Sequence, residues 1–523
     1  MTHQHQVVGL PEPGNAFVHQ PRLADARFAG HHQCHAVSGS GLGCAGLKPP
    51  RLLGAPHQSP TGDPHATRVD PAAASVTALR RVGTCPTGHR VSIEHQNGRV
   101  SDLVPTSSAG TTIDTWTGTA YDVARVRAAF PQLREGEGLG AAHFDGPGGT
   151  QTPDVVARAV YETLTGPLAN DGVATPAERN ASRALEDGRA AMADLLNADA
   201  RGVVFGRSMT QLTMDIARTL AHGWGPGDEV VVTRLDHDSN VRSWVHAAEH
   251  VGATVRWADF DPETGELDVG QVESVLSDRT RVVAMTAASN LIGTRPDVPA
   301  IAELVHAAGA MLYVDGVHYT AHVLVDVEAM GADLFACSPY KFLGPHCGVL
   351  AARPEVLEPL RPDKLVPASD EIPERFELGT PAYELFAGVA AAVEFLADLV
   401  PTEGSRRERL TTSLTALEAY EDRLRARLET ALEDLPGVTL HTRAARRTPT
   451  LLATFAGRDP QDVRRHLATR NVNAPAGSFY AYEASHRLGL GDDGGLRMGL
   501  APYTDDRDVE RLVDGLTEYL SRG

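Results

Sequence analysis

Between residues 202 and 351 the chain repeats one arrangement, in which short apolar segments alternate with amphipathic helical stretches. Helical periodicity at 268–277 and 298–308 separates some of the apolar segments. Strands that alternate with helices predict a mainly parallel sheet covered on both faces, which is an α/β fold. The candidate strands are 202–205, 229–233, 254–257, 281–286, 311–314, 334–337 and 348–351.

The C-terminal part of the chain has a different organisation. A block at 356–370 contains three prolines, which predicts a connection between domains. A long amphipathic helix is predicted at 412–435, an αβ segment at 438–473 and a final helix at 507–520. We therefore expect a large domain at 118–370 and a smaller C-terminal α/β domain at 371–523.

Residues 1–117 differ from the rest because they are rich in His, Gly, Pro and Ser and sustain no helical or strand period. We expect a disordered extension, or a start codon assigned too far upstream. The alternative is a metal-binding tail around His31, His32, Cys34 and His35, but the irregular setting of these residues argues against it.

The charge balance and the cysteines limit the class of protein. The formal net charge is -19, whereas a nucleic-acid-binding protein needs a basic surface. The sequence has no apolar run of ~20 residues, so no membrane partner is expected. Its five cysteines follow no disulfide or zinc spacing, and its start has no secretory signal. These features favour a cytoplasmic protein.

Polar residues follow several candidate strands at their carboxyl ends, where ligands bind in sheets of this kind. Taken singly, each such residue is most often a solvated loop residue, a cap or a structural side chain. Together they outline one pocket. The segments are Gly206-Arg207-Ser208-Met209-Thr210, Asp236-His237-Asp238, Ser289-Asn290, Asp315-Gly316-Val317-His318 and Ser338-Pro339-Tyr340-Lys341.

In their order along the chain and in their residues, these segments resemble the class V aminotransferase family of fold-type I pyridoxal-phosphate (PLP) enzymes. The resemblance is to the cysteine desulfurase-like branch and covers roughly residues 120–520. Its most specific part runs from Val314-Asp315-Gly316-Val317-His318 to Ser338-Pro339-Tyr340-Lys341. It implies a PLP-dependent transferase fold and a small-molecule amino-acid substrate.

The resemblance implies roles around the cofactor ring. Lys341 is the residue that carries PLP and then serves as base for the substrate α-proton. Asp315 is the partner of the ring nitrogen, and His237 stacks on the ring face. His318 stands where relatives often have a Gln that hydrogen-bonds the phenolic oxygen, and Asn290 resembles a second residue near that oxygen.

The cofactor phosphate is implied to bind where a loop becomes a helix. Met209 and Thr210 lie at that point, where backbone amides and the helix dipole favour an anion. Ser338 adds a hydroxyl, and Tyr340 stands where many relatives have His.

Further positions match family segments that reach the substrate or the other subunit. Gly379 and Thr380 match a segment that contacts the phosphate of the partner subunit, which implies a homodimer. Arg497 matches the arginine that clamps the substrate carboxylate through two parallel hydrogen bonds. Gly149 and Thr150 belong to an N-terminal loop expected to line the substrate side.

One departure from the family pattern limits which reaction the sequence can predict. Desulfurases carry a persulfide cysteine somewhat before the carboxylate-binding arginine, but the corresponding stretch 473–481 has none, and Ser478 cannot replace it. Cys337 and Cys347 are expected to be small buried residues rather than sulfur acceptors. The reaction therefore stays open between a desulfurase-like transferase, a carbon–sulfur lyase, an aminotransferase and an epimerase. A non-catalytic PLP-binding regulatory protein is the remaining alternative.

Overall fold

The computed structural model describes residues 121–134 and 140–522. The predicted N-terminal extension at 1–117 and its metal-binding alternative lie outside the described residues. Within them, none of the helices combines the length and the apolarity needed to cross a membrane.

Thirteen strands are present among the described residues. They are β1 (Ala142–His143), β2 (Val203–Gly206), β3 (Glu229–Thr233), β4 (Thr254–Ala258), β5 (Thr280–Thr286), β6 (Met311–Asp315), β7 (Leu334–Cys337), β8 (Gly348–Ala352), β9 (Val438–Leu440), β10 (Thr450–Phe455), β11 (Val472–Asn473), β12 (Ala476–Gly477) and β13 (Gly495–Gly499).

The same part of the chain forms thirteen α-helices. They are α1 (Val123–Ala128), α2 (Asp154–Thr165), α3 (Pro176–Leu196), α4 (Met209–Ala221), α5 (Ser239–Val251), α6 (Val269–Glu273), α7 (Val298–Ala307), α8 (Pro354–Leu357), α9 (Tyr383–Ala397), α10 (Arg406–Glu433), α11 (Pro460–Thr469), α12 (Tyr482–Arg487) and α13 (Asp506–Ser521).

The central sheet has seven strands in the order β2-β8-β7-β6-β5-β3-β4. The pairs from β4 to β7 are parallel, and β8 runs antiparallel between β7 and β2. Each strand lies within one residue of a predicted strand at both ends. The predicted α/β fold with a mainly parallel sheet is confirmed.

Alternate side chains of the central strands face two different cores. Along β5, Val283 and Met285 belong to one core, and Val282 and Ala284 belong to the other. Helices α3, α7 and α9 contribute to the first core, while α4 and α5 contribute to the second. Because both faces are covered, the strands are apolar almost throughout.

The C-terminal part contains a four-stranded sheet of order β12-β13-β10-β9, with antiparallel neighbours. Helices α10 and α11 pack against it, and α13 packs against both of these helices and against β1 and β11. Helix α10 begins at Arg406, before its predicted start, because Ser405 and Glu408 form a capping box. Helix α9 packs against α2 and α3, and the domain boundary after residue 370 stays a prediction.

A short N-terminal segment pairs with the C-terminal part of the chain. β1 pairs in parallel with β11, and Asp145, two residues after β1, forms a bridge with Gly499 at the end of β13. This pairing brings the loop that begins at Asp145 to the carboxyl ends of the large sheet.

Candidate active site

A cavity of about 670 Å³ lies at the carboxyl ends of the parallel strands, where the two sheets meet. The chain segments that follow β2, β3, β5, β6 and β7 all contribute to its walls. Ten predicted site residues line it, namely Met209, Thr210, His237, Asn290, Asp315, His318, Ser338, Tyr340, Lys341 and Arg497.

Lys341 lies in a turn of 3-10 helix after β7, and its amine is buried. The Nζ atom donates hydrogen bonds to the carbonyl oxygens of Pro147 and of Gly148, the latter at 2.9 Å. Burial lowers the pKa of the amine to about 7, and the positive charge of Arg497 contributes further. A lysine with this pKa holds a large neutral, nucleophilic fraction at neutral pH.

Asp315 ends β6 and is only 4% exposed. Its Oδ1 accepts a hydrogen bond from the backbone N–H of Val317 at 2.9 Å. Burial raises the pKa of the carboxyl to about 6, against the opposing effects of this hydrogen bond and of Lys341. The carboxylate faces the cavity without an ion pair among the described residues, and it suits a cationic group.

His237 follows β3, and its ring lines the same cavity. The backbone N–H of Ser239 donates to Nδ1 at 3.1 Å, so the hydrogen of the neutral ring lies on Nε2. Burial, with the charges of Lys341 and Arg497, lowers the pKa of the imidazole to about 4. The ring is therefore neutral at physiological pH.

The N-terminus of α4 forms another wall. The Ser208 side chain caps the helix by accepting from the N–H of Gln211, and Met209 and Thr210 begin the first turn. Gly348 lets β8 approach this turn closely, because a Cβ at that position would lie 2.3 Å from the Met209 nitrogen. The free amides of this turn suit an anion.

Ser338 and Tyr340 complete the lysine segment. Ser338 is buried and lines the cavity. The Tyr340 ring stacks on His346, with 4.6 Å between ring centroids, and lies 4.7 Å from the Lys341 Nζ. The Tyr340 ring thus lines the cavity beside the Lys341 amine.

Arg497 on β13 is 2% exposed and points into the cavity. It donates to the Asn290 carbonyl oxygen at 3.1 Å and to Asp145 Oδ1 at 3.0 Å, while its guanidinium lies 3.7 Å from the centroid of the Phe479 ring. Its Nε has no hydrogen-bond partner in the described part of the chain. The guanidinium can therefore accept a further anionic ligand.

Asn290 and His318 line the cavity, and each has one buried polar atom without a hydrogen-bond partner in the described part of the chain. The Asn290 Nδ2 donates to the Phe479 carbonyl oxygen at 2.9 Å, and its Oδ1 has no partner among residues 121–134 and 140–522. His318 Nδ1 likewise has no hydrogen-bond partner in these ranges, while its Nε2 lies 2.9 Å from the Thr448 hydroxyl. Buried polar atoms without protein partners suit hydrogen bonds to a bound group.

Sequence reasoning missed two parts of the site. Asp145 carries no motif signal, and only the pairing of β1 with β11 and the bridge from Asp145 to Gly499 bring it to Arg497. Phe479 and Tyr480 both have left-handed backbones, with φ of 54° and 57°, which is strained for bulky residues. The Tyr480 carbonyl accepts from the Asp238 N–H at 2.6 Å, and this strained turn lines the cavity.

Four predicted residues lie outside this cavity. Thr150 Oγ1 bonds the Tyr340 carbonyl oxygen at 3.1 Å, and Gly149 lies against the Tyr340 ring, so both brace the lysine segment while Pro147 and Gly148 line the cavity. Gly379 and Thr380 line a separate cavity of about 390 Å³ with Arg207 and His346 among its walls. Their roles stay predictions.

Cys337 and Cys347 are free and buried, as predicted. Burial raises the pKa of the Cys347 thiol to about 12, and the pKa of Cys337 is raised as well. Both thiols are therefore protonated at neutral pH and poor nucleophiles.

Comparison with known proteins defines the class. The profile of the aminotransferase class-V family matches residues 142–512. A probable cysteine desulfurase of Pseudomonas aeruginosa is 32% identical over 413 residues, which are 75% of this chain and 97% of that protein. This chain belongs to the class V aminotransferase family, in its cysteine desulfurase-like branch.

Two further similarities extend over the same region. An uncharacterized protein of Mycobacterium tuberculosis is 37% identical over 402 residues, covering 76% of this chain and 99% of that protein. The crystal structure of the Escherichia coli cysteine desulfurase CsdA matches with a TM-score of 0.68 and 27% identity, covering 77% of this chain and 99% of that one. Family and relatives together indicate a PLP-dependent enzyme.

Proposed function

We propose that this chain binds PLP in the cavity and removes the α-proton of an amino-acid substrate. The observation that carries the proposal is the convergence of Lys341, Asp315, His237 and Arg497 on one cavity. The pKa of about 7 at Lys341 supports it, because a base is most effective when its pKa lies near the working pH.

The polar groups of the cavity fit the parts of PLP. The first turn of α4, with Met209 and Thr210, offers amides to the phosphate, and the Ser338 hydroxyl adds a donor. The Asp315 carboxylate suits the ring nitrogen, which it keeps protonated. The unpartnered Nδ1 of His318 suits the phenolic oxygen.

Once bound, PLP supplies an electron sink for the charge left on the substrate α-carbon. The chain's own residues then divide the remaining tasks. Lys341 carries the cofactor and, when substrate has displaced it, accepts the α-proton at Nζ. His237 covers the ring face as a neutral imidazole. Tyr340 and Asn290 are proposed as further contacts to the cofactor.

Arg497 is proposed to bind the substrate α-carboxylate. Its unpartnered Nε supports this role, because Nε and an Nη together form the two-pronged contact that a carboxylate prefers. Asp145 holds one Nη of the same guanidinium. An incoming carboxylate therefore competes with Asp145 for Arg497.

The usual persulfide route does not fit this chain. No cysteine follows Cys347 in the sequence, and both buried thiols have raised pKa values. We therefore propose an outcome other than transfer of sulfur through a mobile cysteine. The candidates are β-elimination by a carbon–sulfur lyase, amino-group transfer and epimerisation.

The test is a substrate screen on the purified PLP-loaded protein, with Lys341→Ala and Asp315→Ala as comparison variants. Visible absorbance, sulfide, pyruvate, glutamate and substrate chirality are measured together for sulfur-containing and other amino acids. We expect a spectral shift and a product with the unmodified chain, and loss of most activity in both folded variants.

Each product selects one reaction. Sulfide with pyruvate identifies a lyase, transfer to an oxo acid an aminotransferase, and inversion of the substrate an epimerase. Sulfide with alanine would contradict the argument from the missing cysteine. A PLP-loaded protein whose spectrum responds to no amino acid would contradict the enzyme proposal and favour a PLP-binding regulator.

The proposal includes a homodimer with shared sites. Gly379 and Thr380 line a second cavity, which does not have Lys341 of the same chain among its walls. This separation supports a role for both residues at the phosphate of a second copy.

A further inference from the structure

His318 presents its two ring nitrogens to different surroundings. Nε2 lies 2.9 Å from the hydroxyl of Thr448 and 2.9 Å from that of Thr450. The ring lines the cavity, and its Nδ1 is buried and has no hydrogen-bond partner within the described ranges. The tautomer of the ring therefore decides whether the cavity receives an N–H donor or a lone pair.

A count of hydroxyl hydrogens selects one tautomer. The Thr448 hydroxyl donates to the Gly293 carbonyl oxygen at 3.3 Å. The fully buried Thr450 hydroxyl has no acceptor other than His318 Nε2 among the residues described. The Thr450 hydrogen is used only if it is donated to Nε2, which must then carry a lone pair, and the ring hydrogen on Nδ1 is left for a group bound in the cavity. The opposite arrangement leaves a buried hydroxyl hydrogen without an acceptor, which is unfavourable.

The electrostatic surroundings keep the ring neutral, so that it carries a single N–H. Burial lowers the pKa of His318 well below its usual value, and His322, Arg497 and Lys341 lower it further. His322 itself is held by a 2.8 Å hydrogen bond between its Nδ1 and Glu421 Oε2.

We propose that Thr450 is a positioning residue that holds His318 in the Nδ1–H tautomer, with the N–H donor directed into the cavity. The identity of the acceptor, the phenolic oxygen of PLP, rests on the proposed function, whereas the tautomer is a property of the chain itself. Thr450 lies on β10, which also pairs with the strand of Arg497. The C-terminal sheet thus carries both Arg497, proposed to bind the substrate carboxylate, and Thr450, proposed to orient the His318 donor.

The test is long-range ¹⁵N–¹H spectroscopy of the full-length protein labelled at histidine, without PLP and loaded with it. His318→Gln identifies the His318 signals by their disappearance. We expect the Nδ1–H pattern in the unmodified chain and its loss in Thr450→Val. We also expect PLP binding to weaken about tenfold or more in that variant, since it loses a well-oriented bond to a charged acceptor.

Thr448→Val is the matched control, because the hydrogen of Thr448 is used at Gly293, and Thr450→Ser restores the hydroxyl. Both variants should keep the Nδ1–H pattern and bind PLP within about threefold of the unmodified chain. An Nε2–H pattern in the unmodified chain, or an unchanged pattern in Thr450→Val, would overturn the proposal. If the tautomer behaves as expected but no variant binds PLP, the proposed function fails and the role of Thr450 stands.

Discussion

At the scale of single residues, desolvation shifts the pKa values of the side chains that line the site. Lys341, Asp315 and His237 are all buried in the same cavity, and burial shifts each pKa towards the neutral form of the group. The lysine and the histidine are therefore available as neutral groups near pH 7, while the carboxyl still ionises below it.

The chain has only three lysines, Lys48, Lys341 and Lys364, which permits a direct test of the lowered pKa. Reductive methylation of the cofactor-free protein with limiting formaldehyde should modify Lys341 at least about tenfold faster than Lys364 at pH 7, because burial lowers the pKa of the Lys341 amine to about 7. The rate at Lys341 should rise through pH 7 and level off above about pH 8. Peptide mass spectrometry measures both rates.

Lys364 serves as the internal control because it is paired with Asp370 at 3.0 Å, away from the cavity. Equal modification of Lys341 and Lys364 at pH 7 would show that the amine at the site has no lowered pKa.

The negative charge of Asp145 competes with a substrate carboxylate for Arg497 in the proposed site. Asp145→Asn removes a half-buried carboxylate that holds Arg497, so a substrate carboxylate should bind more tightly. We expect KM to fall about fivefold, which corresponds to about 1 kcal/mol, with a smaller change in kcat. A rise in KM together with a large fall in kcat would instead mean that Asp145 orients the arginine. Steady-state kinetics on the substrate found in the screen separate the two.

At the scale of elements, the site depends on how closely a strand approaches a helix N-terminus. Gly348 begins β8 directly beside Ser208 and Met209 at the start of α4. Because a Cβ there would lie 2.2 Å from the backbone carbon of Ser208, Gly348→Ala must move the first turn of α4. The amides proposed to hold the phosphate would then lose their alignment.

We expect Gly348→Ala to weaken PLP binding by about tenfold or more, equivalent to at least one hydrogen bond to a charged group. Equilibrium titration with PLP measures the change. Gly225→Ala is the control, since a Cβ at Gly225 meets nothing within 4 Å, and its PLP affinity should be unchanged. Equal affinities for the two variants would place the phosphate elsewhere.

At the scale of the whole molecule, the proposed homodimer predicts complementation between two defective chains. If Thr380 reaches the site of the partner subunit, a mixed dimer of Lys341→Ala and Thr380→Val chains has one site with both native residues. Mixing equal amounts of the two proteins under subunit exchange makes about half of the dimers mixed, each with one native site of two, so about a quarter of the native activity should return. Light scattering gives the oligomeric state, and activity is measured before and after exchange.

The two unmixed variants are the controls, because each dimer of a single kind lacks one of the two residues at both sites. A Thr380→Val protein with full activity, or no recovery after demonstrated exchange, would contradict the sharing of sites.

The large sheet and the lysine segment were predictable from the sequence because their signals are local. Runs such as Val230-Val231-Val232 are apolar since both faces of the strand are covered, and the segments after β6 and β7 carry the polar residues in a fixed order. The start of α10 was predicted six positions late, because the signal lies in the Ser405–Glu408 cap and not in the apolar period.

The tertiary structure decided the partners that come from distant parts of the chain. Asp145 reaches Arg497 only through the pairing of the N-terminal segment with β11 and β13, and Thr450 reaches His318 only because β10 lies beside the large sheet. Such contacts have no local period or motif, since they depend on how separate elements pack. The sequence by itself therefore determined the fold class and the lysine-centred pocket, whereas packing decided which charge faces Arg497 and which hydroxyl orients His318.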